Sequence, residues 1–269
     1  MEKERKEDVL TSGSLIPPID PAAESKSKDI EREVSLKRTQ VPDQSLDNFL
    51  QILSHESRSP ITVILSACDI VLENEELPRE KILSFIEAIQ RAGKRLHTIT
   101  EKTLLAVRLE GKPNLFPVKL STQKLVSASM MKCLTLAHEN NTSIEHNIED
   151  SYVNVEESLI QPAIRYIIEN AIQHSPKRGV VAIRGFISES NFFVTVSDRG
   201  KGMSEEFLKK VQNNNLWQEN QHVGKGLGIS IAIAKKAFEL HGGSLKLDTY
   251  QGIGTKVTMS LPLKQVSST

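Results

Sequence analysis

The pattern of apolar and polar positions changes character near residue 45. From there Leu46, Leu50, Leu53, Ser57, Pro60, Ile64, Ala67 and Val71 recur at alternating steps of three and four, the heptad-like stripe of a long helix. Glu73 to Pro78 interrupts it with Asn74, two acids and a proline, which signals a loop. A second stripe follows at Ile82, Ile86, Ile89, Gly93, Leu96, Thr100, Thr103 and Val107. The two stripes predict a helical hairpin. One hairpin alone offers little core. Pairing with a second copy into a four-helix bundle buries both stripes, so the pattern predicts a homodimer.

Gly111-Lys112-Pro113-Asn114 marks a linker, and beyond it helical and strand periods alternate. Leu115 to Leu120 reads as a strand and Thr122 to Glu139 as one amphipathic helix. Ser143 to Ile148 and Tyr152 to Val155 read as short strands, and Glu157 to His174 as a helix. Val180 to Ile187 and Phe192 to Ser197 alternate like a hairpin pair. Gly226 to His241 is a helix, and Ser244 to Tyr250 with Gly254 to Leu261 form a last hairpin. The class is α+β: a helical hairpin over 43–110, then a sandwich over 115–263 with helices on one face of a mixed sheet. Residues 1–42 carry mixed charge, scattered serines and few large apolar side chains. They cannot bury enough surface to offset ordering and are predicted to be disordered, with room for a short helix from Lys28 to Arg38.

Composition adds exclusions. The 269 residues hold 34 Lys+Arg and 34 Asp+Glu, a formal net charge of zero. That balance argues against a protein whose main task is coating nucleic acid or an acidic membrane. No apolar run is long enough to span a bilayer, and the charged N-terminus lacks the apolar core of a signal peptide. A soluble, cytoplasmic protein is the expectation. Cys68 and Cys133 lack the paired spacing of a zinc or redox site and read as reduced, packed thiols.

Four short motifs carry candidate chemistry. In Ser54-His55-Glu56-Ser57-Arg58-Ser59-Pro60, with Leu50 at heptad position a and Leu53 at d, His55 falls at f, on the outer helix face. A neutral imidazole there is an accessible nucleophile, and Glu56 can draw off its proton. Pro60 removes a backbone bond to residue 56 and can bend the helix. Taken alone, this motif also fits an ordinary exposed histidine. In Glu169-Asn170-Ala171-Ile172-Gln173-His174-Ser175-Pro176, the Asn170 amide oxygen is a hard donor suited to Mg²⁺, although a helix-end asparagine often makes only local hydrogen bonds. Asp198-Arg199-Gly200-Lys201-Gly202-Met203 follows a strand; its glycines let backbone approach a flat ligand, and Asp198 can accept an adenine amino group. Gly224-Lys225-Gly226-Leu227-Gly228-Ile229 opens a helix and leaves N–H groups for phosphate oxygens. Its spacing departs from the dinucleotide fingerprint, and the polar stretch Asn213 to Gln218 before it suits a mobile lid.

In this order and spacing, the four motifs resemble the H, N, G1 and G2 boxes of the sensor histidine kinase family over about residues 45 to 263. Gly252-Ile253-Gly254-Thr255 matches the family's glycine turn before the final strand. The resemblance implies a dimeric phosphoacceptor hairpin and a Bergerat-type ATP-binding sandwich. It implies that His55, assisted by Glu56, takes the γ-phosphoryl group of ATP and passes it to an aspartate on a response regulator receiver domain. By the same resemblance Asn170 holds Mg²⁺ and Asp198 reads adenine. His174, Gly200, Gly202, Leu227 and Thr255 join them at the nucleotide, and Gly224, Gly226 and Gly228 support the lid. A separate sensor protein is a further candidate partner. The sequence departs from the family at two slots: Tyr166 stands where an earlier asparagine is usual, and Gln173 where a basic residue is common. No phenylalanine-rich box is evident in the lid, although Phe207 and Trp217 are near it. Those departures keep open a second class, a pseudokinase or docking scaffold acting through its dimer bundle. An anti-sigma-type serine kinase, or a topoisomerase- or chaperone-like ATPase, fits the hairpin and the chain length poorly.

Overall fold

Heptad-like spacing on one face of each helix brings α1 (Asp43–Glu73) and α2 (Arg79–Glu110) together as an antiparallel hairpin. The computed structural model describes residues 43–111, 113–205, 208–209 and 227–263. Expectations for residues 1–42, for the lid stretch and for Phe207 and Trp217 lie outside them. On α1 the inward side carries Pro60 and Ala67, both buried, with Leu53, Ser57, Ile64 and Val71 half-buried. The helix runs through Pro60 unbroken. On α2 the inner positions are Phe85, Ala92, Leu96 and Ile99, while Ile86 and Thr100 of the expected stripe face outward. A straight helix of 3.6 residues per turn drifts by about 20° per heptad, which carries a seven-residue stripe off the seam.

The hairpin does not stop at the linker. Leu105, Ala106 and Leu109, in the last two turns of α2, are buried in the core of the second domain. That domain contains β1 (Val118–Ser121), α3 (Thr122–Met131), α4 (Leu134–Glu139), β2 (Ser143–Ile148), β3 (Tyr152–Val155) and α5 (Glu157–His174). It continues with β4 (Val180–Ser188), β5 (Asn191–Asp198), α6 (Leu227–Leu240), β6 (Ser244–Tyr250) and β7 (Gly254–Pro262). The hairpin followed by a mixed α/β sandwich is the expected class. One expected helix divides in two at Cys133. The Cys133 N–H bonds Met130 O at 2.8 Å, an i to i−3 bond that ends the α-helical ladder, and its thiol lies 3.4 Å from Ser129 O.

A five-stranded sheet has the order β2-β4-β5-β7-β6, and a separate two-stranded sheet pairs β1 with β3. The β2–β4 pair is parallel and the remaining pairs are antiparallel. The parallel pair needs a long crossover, and β3 with α5 supplies it. The core lies between the sheet and the helices. Val181, Ile183, Phe192, Val194, Val196, Met259 and Leu261 rise from the sheet to meet Ile160, Ile164, Ile168 and Ile172 of α5 and Ile233, Ala237 and Phe238 of α6. Each fully buried Ile or Phe here is worth about 1.5–3 kcal/mol of transfer free energy.

Two close backbone approaches shape the loop after β5. A Cβ on Gly200 would lie 2.2 Å from His174 O, so this loop presses against the end of α5. Gly202 has φ +63°, and its Cβ would lie 2.0 Å from Tyr250 O in the β6–β7 turn. Gly252, at φ +80°, faces open space. Alanine at Gly252 therefore costs about 1–2 kcal/mol, the price of a left-handed conformation alone. Gly202→Ala must also displace backbone, so its urea midpoint falls well below that of Gly252→Ala. Equal midpoints would contradict the close approach.

Just past the end of α6, His241 ties that helix to the residue before α5. Its Nδ1 bonds Ala237 O at 2.7 Å, and its Nε2 accepts the Glu156 N–H at 2.9 Å. Burial pushes its pKa below the ordinary 6.5, against the opposing pull of the Glu156 carboxylate, which also pairs with Arg108. Below pH 6.5 the unfolded chain binds more protons at this residue than the folded chain. The stability that depends on the neutral ring is complete above that value and is lost as the pH falls through the lowered folded value. Between about pH 7.5 and about pH 5.5 the melting temperature of the wild type should fall more than that of His241→Gln. Parallel curves for the two proteins would refute this.

Candidate functional site

The last turns of α5 emerge from the core beside the end of β5, and a cleft opens there. Asn170 and His174 enter it from α5 and Asp198 from β5. Lys201, Gly202 and Met203 come from the following loop, and Thr255 from β7. Ile167, Ala171, Val196, Ile231 and Val257 form apolar walls. The cleft is open to solvent at its mouth. Apolar walls with polar groups at the rim suit a flat heteroaromatic ring held by a few directed hydrogen bonds.

Asp198 is the half-buried acid of the cleft. Its Oδ1 accepts the Gly200 N–H at 2.8 Å, and the Thr255 N–H also bonds the carboxylate. Burial pushes its carboxyl above the usual range, and the two N–H bonds oppose that rise. The Asn170 Nδ2 is buried with no hydrogen-bond partner among the described residues. The unpaired Nδ2 is a donor ready for a phosphate oxygen, and the amide oxygen on the same side chain is the kind of hard donor that Mg²⁺ selects. The residues present therefore fit a metal-bound nucleotide phosphate, with Asn170 as the protein's donor. Chemically the cleft can bind and orient a nucleotide.

His55 stands on the exposed side of α1 with 75 % of its side chain accessible, and it does not line the cleft. Its Nδ1 lies 4.0 Å from Glu56 Oε1, in ion-pair range but beyond a hydrogen bond. Glu56 is only 15 % exposed, and Arg95 of α2 pairs with its Oε2 at 3.3 Å. Asn170, His174, Asp198, Gly202 and Thr255 thus share one cleft. Gly200 lies behind its loop, and His55 with Glu56 forms a separate group. Leu227 and Gly228 begin α6, whereas Gly224 and Gly226 fall outside the described residues.

The sequence reading missed Arg95, Lys201, Met203 and Ile231. Lys201 and Met203 lie within a motif already singled out, and Ile231 is about one helical turn beyond Gly228. Arg95 carried no local signal, because 39 residues separate it from Glu56. Neither departure slot faces the cleft. Gln173 is exposed. Tyr166 is 1 % exposed and packed between α5 and α2, and burial pushes its hydroxyl up to about 12.

The His Kinase A (phospho-acceptor) domain model matches residues 45–112. The histidine kinase-, DNA gyrase B- and HSP90-like ATPase model matches residues 155–265. The heme sensor protein HssS of Staphylococcus saprophyticus is 28% identical over 229 residues, 84% of this chain and 48% of that protein. The sensor histidine kinase WalK of Bacillus subtilis is 24% identical over 229 residues, 83% of this chain and 38% of that protein. The chain thus spans less than half the length of either relative. Among solved structures, the Acinetobacter baumannii histidine kinase AdeS superposes with a TM-score of 0.61 at 15% identity, over 78% of this chain and 98% of that one. The histidine kinase ThkA, solved in complex with the response regulator protein TrrA, gives 0.62 at 19% identity, over 93% and 70%. Those two likenesses support the fold. Helical hairpin, ATPase-like sandwich and both domain matches stand in one chain and in one order, and the chain belongs to the sensor histidine kinase family.

Proposed function

We propose that this chain is the catalytic core of a histidine kinase that phosphorylates His55 from ATP and hands the phosphoryl group to a response regulator aspartate. The observation that carries this reading is convergence. Asn170, Asp198 and Thr255 come from three distant segments and line one cleft, in a chain that also presents His55 and Glu56 on an exposed helix face. In the proposed step the His55 Nε2 lone pair attacks the γ-phosphorus. The bond from phosphorus to the β,γ-bridging oxygen breaks, ADP leaves, and Glu56 takes the ring proton from Nδ1. Asp198 would hold the adenine base, and Asn170 would hold the Mg²⁺ that accompanies the phosphates. That metal supplies neutralisation of phosphate charge. The phosphoacceptor unit is assigned to 43–110 and the nucleotide unit to 115–263. Tyr166 and Gln173 lie outside the cleft, so they lend no support to a scaffold without catalysis.

The proposal includes a homodimer acting in the cytoplasm. Ile61, Leu65 and Leu72 share one side of α1 at 42%, 58% and 78% exposure, and Leu83 and Ile86 of α2 are 49% and 53% exposed. A hairpin with that much open apolar surface is suited to bundle with a second copy. Among the described residues no helix is long and apolar enough to cross a membrane. Sedimentation at micromolar concentration should give a dimer, and Leu65→Glu should shift it toward monomer. A wild type that sediments only as monomer would refute the bundle.

Incubation with γ-labelled ATP and Mg²⁺ tests the chemistry. Wild type should take up label that acid removes, His55→Gln none, and Asn170→Asp at least about tenfold less. Glu56→Gln should slow labelling by about 10²-fold or more at neutral pH. Label that persists in His55→Gln, or that resists acid, would overturn the assignment of the phosphoacceptor.

A further inference from the structure

On its side away from the cleft, α5 carries a charged cluster that the proposed step does not use. Lys102 of α2 reaches across, with Nζ 3.9 Å from Glu169 Oε2 and 4.8 Å from the centre of the Tyr166 ring. Arg165 covers the same ring, its Cζ 4.7 Å from the centre. It also stands 3.8 Å from Glu169 Oε1 and 3.1 Å from Glu101 Oε2. The Lys102 and Glu169 side chains are each 12% exposed.

Lysine and glutamate are seldom this buried, and their desolvation roughly cancels their attraction. An apolar pair of similar volume would hold the two helices at least as well. Stability alone therefore does not account for the pair, and its position offers an account. Glu169 directly precedes Asn170. Consecutive helix residues point about 100° apart, so Glu169 faces α2 while Asn170 faces the cleft. No side-chain bond among the described residues holds the Asn170 Nδ2, so its starting point is set by how the last turns of α5 are seated. Arg165 ties α5 to α2 through Glu101 at 3.1 Å, about one turn before Asn170, and meets Glu169 only from within α5. Lys102 reaches the same carboxylate from α2, the helix whose Arg95 holds Glu56 beside His55.

We propose that Lys102 is a positioning residue for the metal site: by holding Glu169 it steadies the last turns of α5, whose seat the core packing sets, and keeps Asn170 placed toward the metal of a bound nucleotide. The proposal rests on the reading of the cleft as a Mg-nucleotide site. It also makes the metal site answer to the position of α2, so that the hairpin and the nucleotide are in register when Asn170 is aimed. Tyr166 is the platform of the clamp, its ring face shared by the two cations.

The test is a fluorescence titration of the full chain with a mant-labelled ADP, first in EDTA and then over a Mg²⁺ series. Lys102→Met should bind the nucleotide in EDTA within about twofold of wild type and need about tenfold more Mg²⁺ for half-saturation. Lys102→Arg, which keeps the charge, should stay near wild type. A Mg²⁺ requirement unchanged in Lys102→Met overturns the proposal. So does an equal loss of affinity with and without Mg²⁺, which marks general damage to the cleft. If Lys102→Met does not fold, Lys102→Gln takes its place with the same readout. A wild type whose nucleotide affinity ignores Mg²⁺ overturns the underlying reading of the cleft instead.

Discussion

The burial of α5 is the constraint on which the other features depend. Leu159, Ile160, Ala163, Ile164, Ile167, Ile168, Ala171 and Ile172 leave it apolar over far more than one face. Such a helix must be enclosed, and here the sheet covers one side while α6 and α3 cover others. The packing ends where the sequence turns polar, at Glu169, Asn170 and His174. Those residues sit at the edge of the core because the helix before them cannot leave it. The cleft is thus a direct result of where the apolar run of α5 stops.

The same packing decides how the two domains meet. Leu105, Ala106 and Leu109 of α2 enter the core that α5 organises, so the hairpin's last two turns belong to the sandwich. Gly111 to Asn114 breaks the helix but does not part the cores. Rotating α2 would drag buried apolar side chains as well as the charges at Lys102 and Glu101. A helix that carries both Arg95, against the phosphoacceptor pair, and Leu109, inside the nucleotide domain, is a mechanical link between them.

Much of this was legible in the sequence because it is local. Glu157–His174, Ser143–Ile148, Tyr152–Val155 and Ser244–Tyr250 fall at the residues where periodicity and turn residues put them. Pairing was not legible. β3 follows β2 in the chain yet joins β1, and β2 joins β4 across a helix. Register of that kind depends on contacts 30 or more residues apart, such as Ser143 with Val180. The break at Cys133 was hidden because Met131-Lys132-Cys133-Leu134 holds no glycine, proline or turn residue to mark it. The polar lining of the cleft was readable as motif residues. Its apolar walls were not, since Ile167, Ile231 and Val257 look like every other core position.

Tyr166 shows why a residue pattern can mislead about a site. It lies four residues before Asn170, about 40° away around the helix, where a polar side chain would point near the cleft. The phenol ring does not line the cleft and lies buried beside Lys102 of α2 instead. There it meets Lys102 and Arg165, which can lie close together because the ring face and two carboxylates, Glu101 and Glu169, stand between and around them. Asparagine in the same slot would offer neither the ring face nor the bulk that closes this space. The departure at Tyr166 and the buried lysine opposite it are therefore one feature, and each makes physical sense only with the other.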